Sequence, residues 1–153
     1  MSFANFDDEG LITACPACAQ KNRTPYEHLG EVGHCGNCKS DLPPPSMPLE
    51  MDSASRFDQI IAASPIPVVV DYWAPWCPPC RAVAPELEKV AARGSGKYLV
   101  VKVNTEALPL VGERFQIRSI PTLAVFNKGT EAARSSGARP AAAIEQFIRE
   151  STG

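Results

Sequence analysis

An α/β fold with a mixed sheet covered on both faces, preceded by a small cysteine-held module, is what this 153-residue sequence predicts. Three observations carry the prediction. After residue 48, β-branched runs alternate with segments of helical period. The stretch "SDLPPPSMP" at 40–48 holds four prolines in nine residues, which disfavours helix and central strand and leaves a stiff, extended connector. Four of the six cysteines lie before that connector, in two C-x-x-C pairs.

The elements follow in order. "SASRFDQIIAA" opens on Ser/Asp caps and spaces Phe57, Ile60 and Ile61 at i, i+3, i+4, an amphipathic helix. "PIPVVVDYW" is a continuous β-branched run, as in a strand buried on both faces. "CRAVAPELEKVAARG" reads as a helix that Pro85 should kink and Gly94 should end. "YLVVKVN" is a second buried strand and "LPLVGERFQI" a helix. "TLAVFNKGTEAARSSG" gives two strands joined at Asn127-Lys128-Gly129. "RPAAAIEQFIRES" closes as a helix, with Pro140 in its first turn and Ile144, Phe147 and Ile148 facing inward.

The connector divides the chain into residues 1–42, a linker at 43–47, and residues 48–153. The first segment is too short and too polar to build a core by itself and needs a staple. It holds six acids against three bases, whereas the whole chain has 17 against 15. The opening "MSFANFDDEG" has neither a basic start nor an apolar run, and no apolar stretch reaches the ~18 residues of a membrane span. A cytoplasmic protein with no membrane partner is expected. In a reducing compartment, six cysteines point to ligands or redox catalysts rather than structural disulfides.

Cys15, Cys18, Cys35 and Cys38 form C-x2-C-x16-C-x2-C. Two such knuckles let four thiolates reach one Zn2+ tetrahedrally at about 2.3 Å, the geometry of a structural site. Gly36 is expected where a tight turn aims amides at sulfur. Disulfides, free thiols and an iron–sulfur centre are the other readings of four cysteines. His28 and His34 are read as solvent-facing or behind the ligands. The acidic balance, with a further net −2 from four thiolates on one ion, argues against nucleic acid as a partner.

The third pair lies in "VVVDYWAPWCPPCRAVAP", where a buried strand gives way to a helix. A helix start favours thiolate over thiol, and C-x-x-C at that point of an α/β pattern reads as a thiol–disulfide redox site. Cys77 would attack a substrate disulfide and Cys80 would resolve the mixed disulfide. With the strand "VVVDYWA", the W-C-x-P-C site, the helix proline Pro85, "KVNTE" and "IRSIPTL", residues from about 48 onward resemble the thioredoxin family. The N-terminal knuckles make the whole chain similar to its zinc-containing bacterial members.

The resemblance implies a thioredoxin fold behind a zinc-ribbon-like module, and roles for particular residues. Cys77 is the nucleophile and Cys80 the resolver. Asp71 matches a buried carboxylate that assists proton transfer at Cys80, and Lys102 its neighbour. Pro121 matches a cis-proline packed on the site, leaving the Ile120 backbone to pair with an extended substrate. Trp76, Gly137 and Ala138 border the groove, and Trp73 supports it from behind. Taken singly, Asp71 reads as a strand-end cap, Lys102 as a solvated charge and Pro121 as a plain turn; their joint placement around Cys77 singles them out. Pro78 replaces the family's usual glycine, which removes one helix-start N–H, should thereby raise the Cys77 pKa, and stiffens the turn.

These readings imply a protein-disulfide reductase recharged by an NADPH-dependent thioredoxin reductase, with no bound organic cofactor. Two alternatives stand beside it. One is an electron donor dedicated to a single peroxidase or reductase. The other is a redox-sensing binding protein whose zinc module docks a partner and loses metal on oxidation.

Overall fold

The computed structural model describes residues 4–152. Its N-terminal part is built from two cysteine-bearing hairpins. Strands β1 (Ala4–Phe6), β2 (Gly10–Ala14) and β3 (Lys21–Pro25) form an antiparallel sheet, with Ile12 opposite Arg23. Strands β4 (Gly33–His34) and β5 (Asp41–Leu42) form a second, shorter one. Cys15 and Cys18 lie in the β2–β3 turn, Cys35 and Cys38 in the β4–β5 turn.

The rest alternates strand and helix as the pattern requires. It comprises β6 (Leu49–Glu50), α1 (Ala54–Ala63), β7 (Val68–Trp73), α2 (Pro78–Arg93), β8 (Leu99–Asn104), α3 (Pro109–Arg114), β9 (Thr122–Asn127), β10 (Thr130–Ser136) and α4 (Ala141–Thr152). The sheet runs β10-β9-β7-β8-β6, parallel for β6, β7 and β8 and antiparallel for β9 and β10. Val69 and Val100 face α2 and α4, packing on Val83, Leu87, Val90, Ile144 and Ile148. Val70, Tyr72, Val101 and Val103 face the other way, onto Phe57 and Ile60 of α1 and Val111 of α3. Ile61 and Phe147 are only partly buried at the edges of these layers.

Three boundaries differ from expectation. Helix α2 begins at Pro78 rather than Cys80, because the first helical positions need no N–H and two prolines preset their φ. Helix α3 is shorter at its C-terminal end, since Gln116 takes a left-handed φ of 55° and stops it. Pro140 precedes α4 instead of entering its first turn: its carbonyl accepts from the N–H groups of Ala143 and Ile144. The Ala141 N–H at that helix start donates to Glu86 Oε1 of α2 at 3.0 Å. The β9–β10 turn is the two-residue loop Lys128-Gly129, with φ of 53° and 83°, the positive pair that matches strand twist.

The proline linker does not hold the two parts apart. Phe6, Leu11, Tyr26 and Leu29 are each at most 4% exposed and belong to the same core as Phe57, Val70 and Tyr72. Arg56 of α1 reaches Asp8 at 3.1 Å, and Ser95 Oγ donates to the Pro44 carbonyl at 3.2 Å. Fully burying Phe6, Leu11 and Leu29 stabilises by roughly 1.5–3 kcal/mol each. Their sum is comparable with the whole net stability of a domain, about 5–15 kcal/mol. The N-terminal part has a small core of its own, Cys15, Cys35 and Leu42, and otherwise shares its neighbour's.

Candidate active site

Strand β7 carries Asp71 and Trp73 to the sheet's end, and the chain then turns through Ala74, Pro75 and Trp76 into α2. Cys77 is the N-cap, with extended φ −91° and ψ 109°. It is disulfide-bonded to Cys80, with Cα atoms 5.3 Å apart. Pro78 and Pro79 have no N–H, so the first amide of the helix able to reach sulfur is that of Cys80, which donates to Cys77 Sγ at 3.2 Å. Cys77 is 2% exposed and Cys80 3%. The cysteine at the helix start is thus covered in this disulfide state. Ala74 packs on the pair, flanked by Trp73 and Ile120.

The opposite wall comes from the approach to β9. The Ile120–Pro121 bond is cis, and the Ile120 carbonyl oxygen lies 3.8 Å from Cys77 Sγ. Gly137 N–H donates to the Pro121 carbonyl at 2.9 Å, which fastens the end of β10 to this wall. Gly137 has φ +93° with nothing within 4 Å of an added Cβ, so the position asks for backbone freedom rather than space. Trp76, next to Cys77 in the chain, is 60% exposed, and Pro78, Gly137 and Ala138 are exposed as well. The predicted residues Cys77, Cys80, Ile120, Pro121 and Gly137 are joined by these contacts, with Trp76 and Pro78 adjoining in the chain.

Asp71 and Lys102 meet through strand register. They are directly opposite on the parallel β7–β8 pair. Asp71 is 1% exposed and its Oδ1 has no hydrogen-bond partner. Burial pushes its carboxyl up to about 7, Lys102 opposing this and Glu50 adding to it. Lys102 Nζ sits 4.5 Å from the centre of the Trp73 ring. Glu50, opposite Lys102 on β6, was not singled out from the sequence. Its signal there is the alternation Leu49-Glu50-Met51, one acid between two apolar residues.

The four remaining cysteines converge although they come from two hairpins. Their sulfurs all lie within 4.8 Å of one another, with Cys15–Cys38 and Cys18–Cys35 at 3.6 Å. A tetrahedron of metal–sulfur bonds of about 2.3 Å has sulfurs about 3.8 Å apart, so the set fits such an ion. The two knuckles repeat one geometry. Ala17 and Asn37 N–H donate to Cys15 and Cys35 Sγ at 3.4 Å, and Ala19 and Lys39 take φ of 66° and 67°. Gly36 sits in the tight turn that aims the Asn37 amide at Cys35, and its own N–H donates to Asn22 Oδ1 at 2.9 Å. The backbone N–H of Cys38, aided by the Asn22 amide, holds the Cys35 thiol down at about 6. His28 and His34 pair with Glu31 and Asp41 at the surface.

With this geometry in place, the comparisons with known proteins divide along the same lines. The family model described as thioredoxin matches residues 48–150. The chain belongs to the thioredoxin family. A second model, described as the N-terminal part of thioredoxin 2, a zinc ribbon, matches residues 14–40, which hold all four clustered cysteines. Thioredoxin C-3 of Corynebacterium nephridii is 40% identical over 139 residues, 90% of this chain and 93% of its own length. Thioredoxin 1 of a Nostoc species is 45% identical over 96 residues, 63% of this chain and 90% of its own.

Among solved structures, the thioredoxin of Malassezia sympodialis superposes with a TM-score of 0.63 at 26% identity, covering 73% of this chain and 96% of that one. A single-site mutant of a Halobacterium salinarum thioredoxin gives 0.64 at 24% identity, covering 71% and 94%, and shows the shared fold. As a thioredoxin, the chain is a thiol–disulfide oxidoreductase that reduces protein disulfides. Its partners are, in general terms, a reductase and disulfide-bearing proteins. Among the described residues no helix is long and apolar enough to cross a membrane.

Proposed function

We propose that this thioredoxin reduces its substrates through Cys77 and Cys80. The supporting observation is the Cys77–Cys80 disulfide at the start of α2, facing the Ile120–Pro121 wall. In the reduced protein the Cys77 thiolate attacks one sulfur of a substrate disulfide, forming a mixed disulfide and releasing a substrate thiolate that takes up a proton. Asp71 takes the proton of Cys80, whose thiolate attacks Cys77 Sγ. The protein disulfide forms, and the second substrate sulfur leaves as a thiol. Lys102 holds charge beside Asp71, and Trp76, Pro78, Ile120, Pro121, Gly137 and Ala138 seat the substrate backbone. A thioredoxin reductase returns two electrons from NADPH to the Cys77–Cys80 disulfide, in the cytoplasm.

In this reading Cys15, Cys18, Cys35 and Cys38 hold one Zn2+, which supplies cohesion and no step of the reaction. The division into residues 1–42, 43–47 and 48–153 is functional: metal binding, connection and electron exchange. Its parts still share a core. The test is NADPH oxidation with thioredoxin reductase and an insulin-like disulfide substrate. The wild type should turn over and Cys77→Ser should not; turnover by the Ser variant would refute the assignment.

A further inference from the structure

A second carboxylate flanks Lys102 on the side away from Asp71. Strand β6 is the edge of the five-stranded sheet, and Leu49 and Met51 turn into the core at 4% exposure each. The period-2 alternation therefore sends Glu50 to the opposite face, the face of Asp71. Register places Glu50 directly beside Lys102, and Lys102 directly beside Asp71. The Met51 N–H donates to the Lys102 carbonyl at 2.8 Å and locks that alignment. Glu50, Lys102 and Asp71 thus form a row from the solvent-facing edge to the buried centre, with the Trp73 ring under the ammonium. Both carboxylates lie within the field of the Lys102 charge.

We propose that Glu50 is a positioning residue for the proton step at Asp71: it draws Lys102 toward the sheet edge and offsets its charge at the buried carboxylate. Asp71 then remains able to exchange a proton near neutral pH instead of being held ionised by an undivided ammonium. The inference rests on the reading of Asp71 as the proton carrier for Cys80. The groups around Asp71 are Glu50 from β6, Lys102 from β8, Trp73 from its own strand and the apolar Leu123 opposite it on β9. The Cys77 and Cys80 thiols stand at the start of α2, the element that follows the Asp71 strand. Burial is the largest influence on Asp71, Lys102 works against it, and Glu50 works with it. Glu50 stays exposed as a residue, while desolvation of its carboxyl end raises its own pKa against the pull of Lys102 and the Trp73 indole.

The experiment uses the full-length, metal-loaded protein in wild-type, Glu50→Gln and Glu50→Asp forms. Carbon-13 NMR follows the titration of the Asp71 carboxyl. With strands about 4.8 Å apart, the two carboxylates lie about 10 Å from each other, and at an effective dielectric of about 40 the Gln variant should lower the Asp71 midpoint by about half a pH unit. The Asp variant keeps the charge and should stay near wild type. The pH profile for resolution of a mixed disulfide by Cys80 should move to lower pH with Glu50→Gln. That displacement should vanish when Asp71→Asn is already present. An unmoved Asp71 titration in Glu50→Gln, with Asp71→Asn still slowed, overturns the role of Glu50 alone. A moved titration with a resolution profile indifferent to both substitutions refutes the Asp71 reading, and the inference falls with it.

Discussion

Replacing Asp71 by Asn removes a carboxyl that is 1% exposed, lacks a partner for Oδ1, and is pushed up to about 7 by burial. Its ordinary value is 3.8. The folded state therefore binds this proton more tightly than the unfolded chain. The stability linked to it is complete below about 4 and is lost as pH rises through about 7. A gap of about three units at 1.36 kcal/mol each sets an upper bound of about 4 kcal/mol on that loss. Water reaching the carboxylate would reduce the figure, so a difference of about 2–4 kcal/mol between pH 4 and pH 8 is expected. The Asn side chain does not titrate and should remove this slope. Urea unfolding of the oxidised, metal-loaded proteins at pH 4, 6 and 8 measures the difference directly. Asp71→Asn should be close to wild type at pH 4, apart from a constant offset, and clearly more stable at pH 8. Two stability curves that run parallel over this range would refute the account of Asp71 as a buried, proton-holding carboxyl.

Other consequences can be checked as simply. Cys80→Ser should accumulate mixed disulfides with substrate on non-reducing gels, whereas Cys77→Ser should not; trapping by the latter would reverse the two roles. Phe6→Ala should cost about 3–5 kcal/mol by urea unfolding, because Phe6 is 1% exposed and stacks on Tyr26 at 6.3 Å between ring centres; a cost below about 1 kcal/mol would make the N-terminal part a mere appendage. Metal analysis should find one Zn2+ per chain, and Cys35→Ser should lose it and expose apolar surface to a dye such as ANS; retention of stoichiometric metal would displace Cys35 from the ligand set. Gly10→Ala should destabilise by about 1–3 kcal/mol, since its Cβ would clash with the Thr24 carbonyl oxygen across the β2–β3 pair; an unaffected variant would mean that this pairing yields easily.

Local chemistry made most of this protein legible before any coordinates. The runs "VVVDYW" and "LVVKVN" could only be buried strands, and the Phe57/Ile60 spacing could only be a helix stripe. All three C-x-x-C pairs share one spacing, and position separated them: two flank each other before the linker, and the third stands where a buried strand meets a helix. What lay beyond reach was whatever depends on elements distant in sequence. The proline linker looked like a spacer because its own residues are stiff, but the burial of Phe6, Leu11, Tyr26 and Leu29 depends on a surface offered by α1 and the sheet. Glu50 looked like an ordinary acid, because only the register of β6 on β8 sets it beside Lys102 and Asp71. Glu86 receives the Ala141 N–H for a similar reason: α2 and α4 pack on the same sheet face. Side-chain chemistry alone set which residues prefer water, which prefer a strand and which can ligate or exchange electrons. The desolvation of Asp71 and the placing of Glu50 and Lys102 beside it came from packing and register instead, because electrostatic energy depends on distance and dielectric, which sequence separation does not encode.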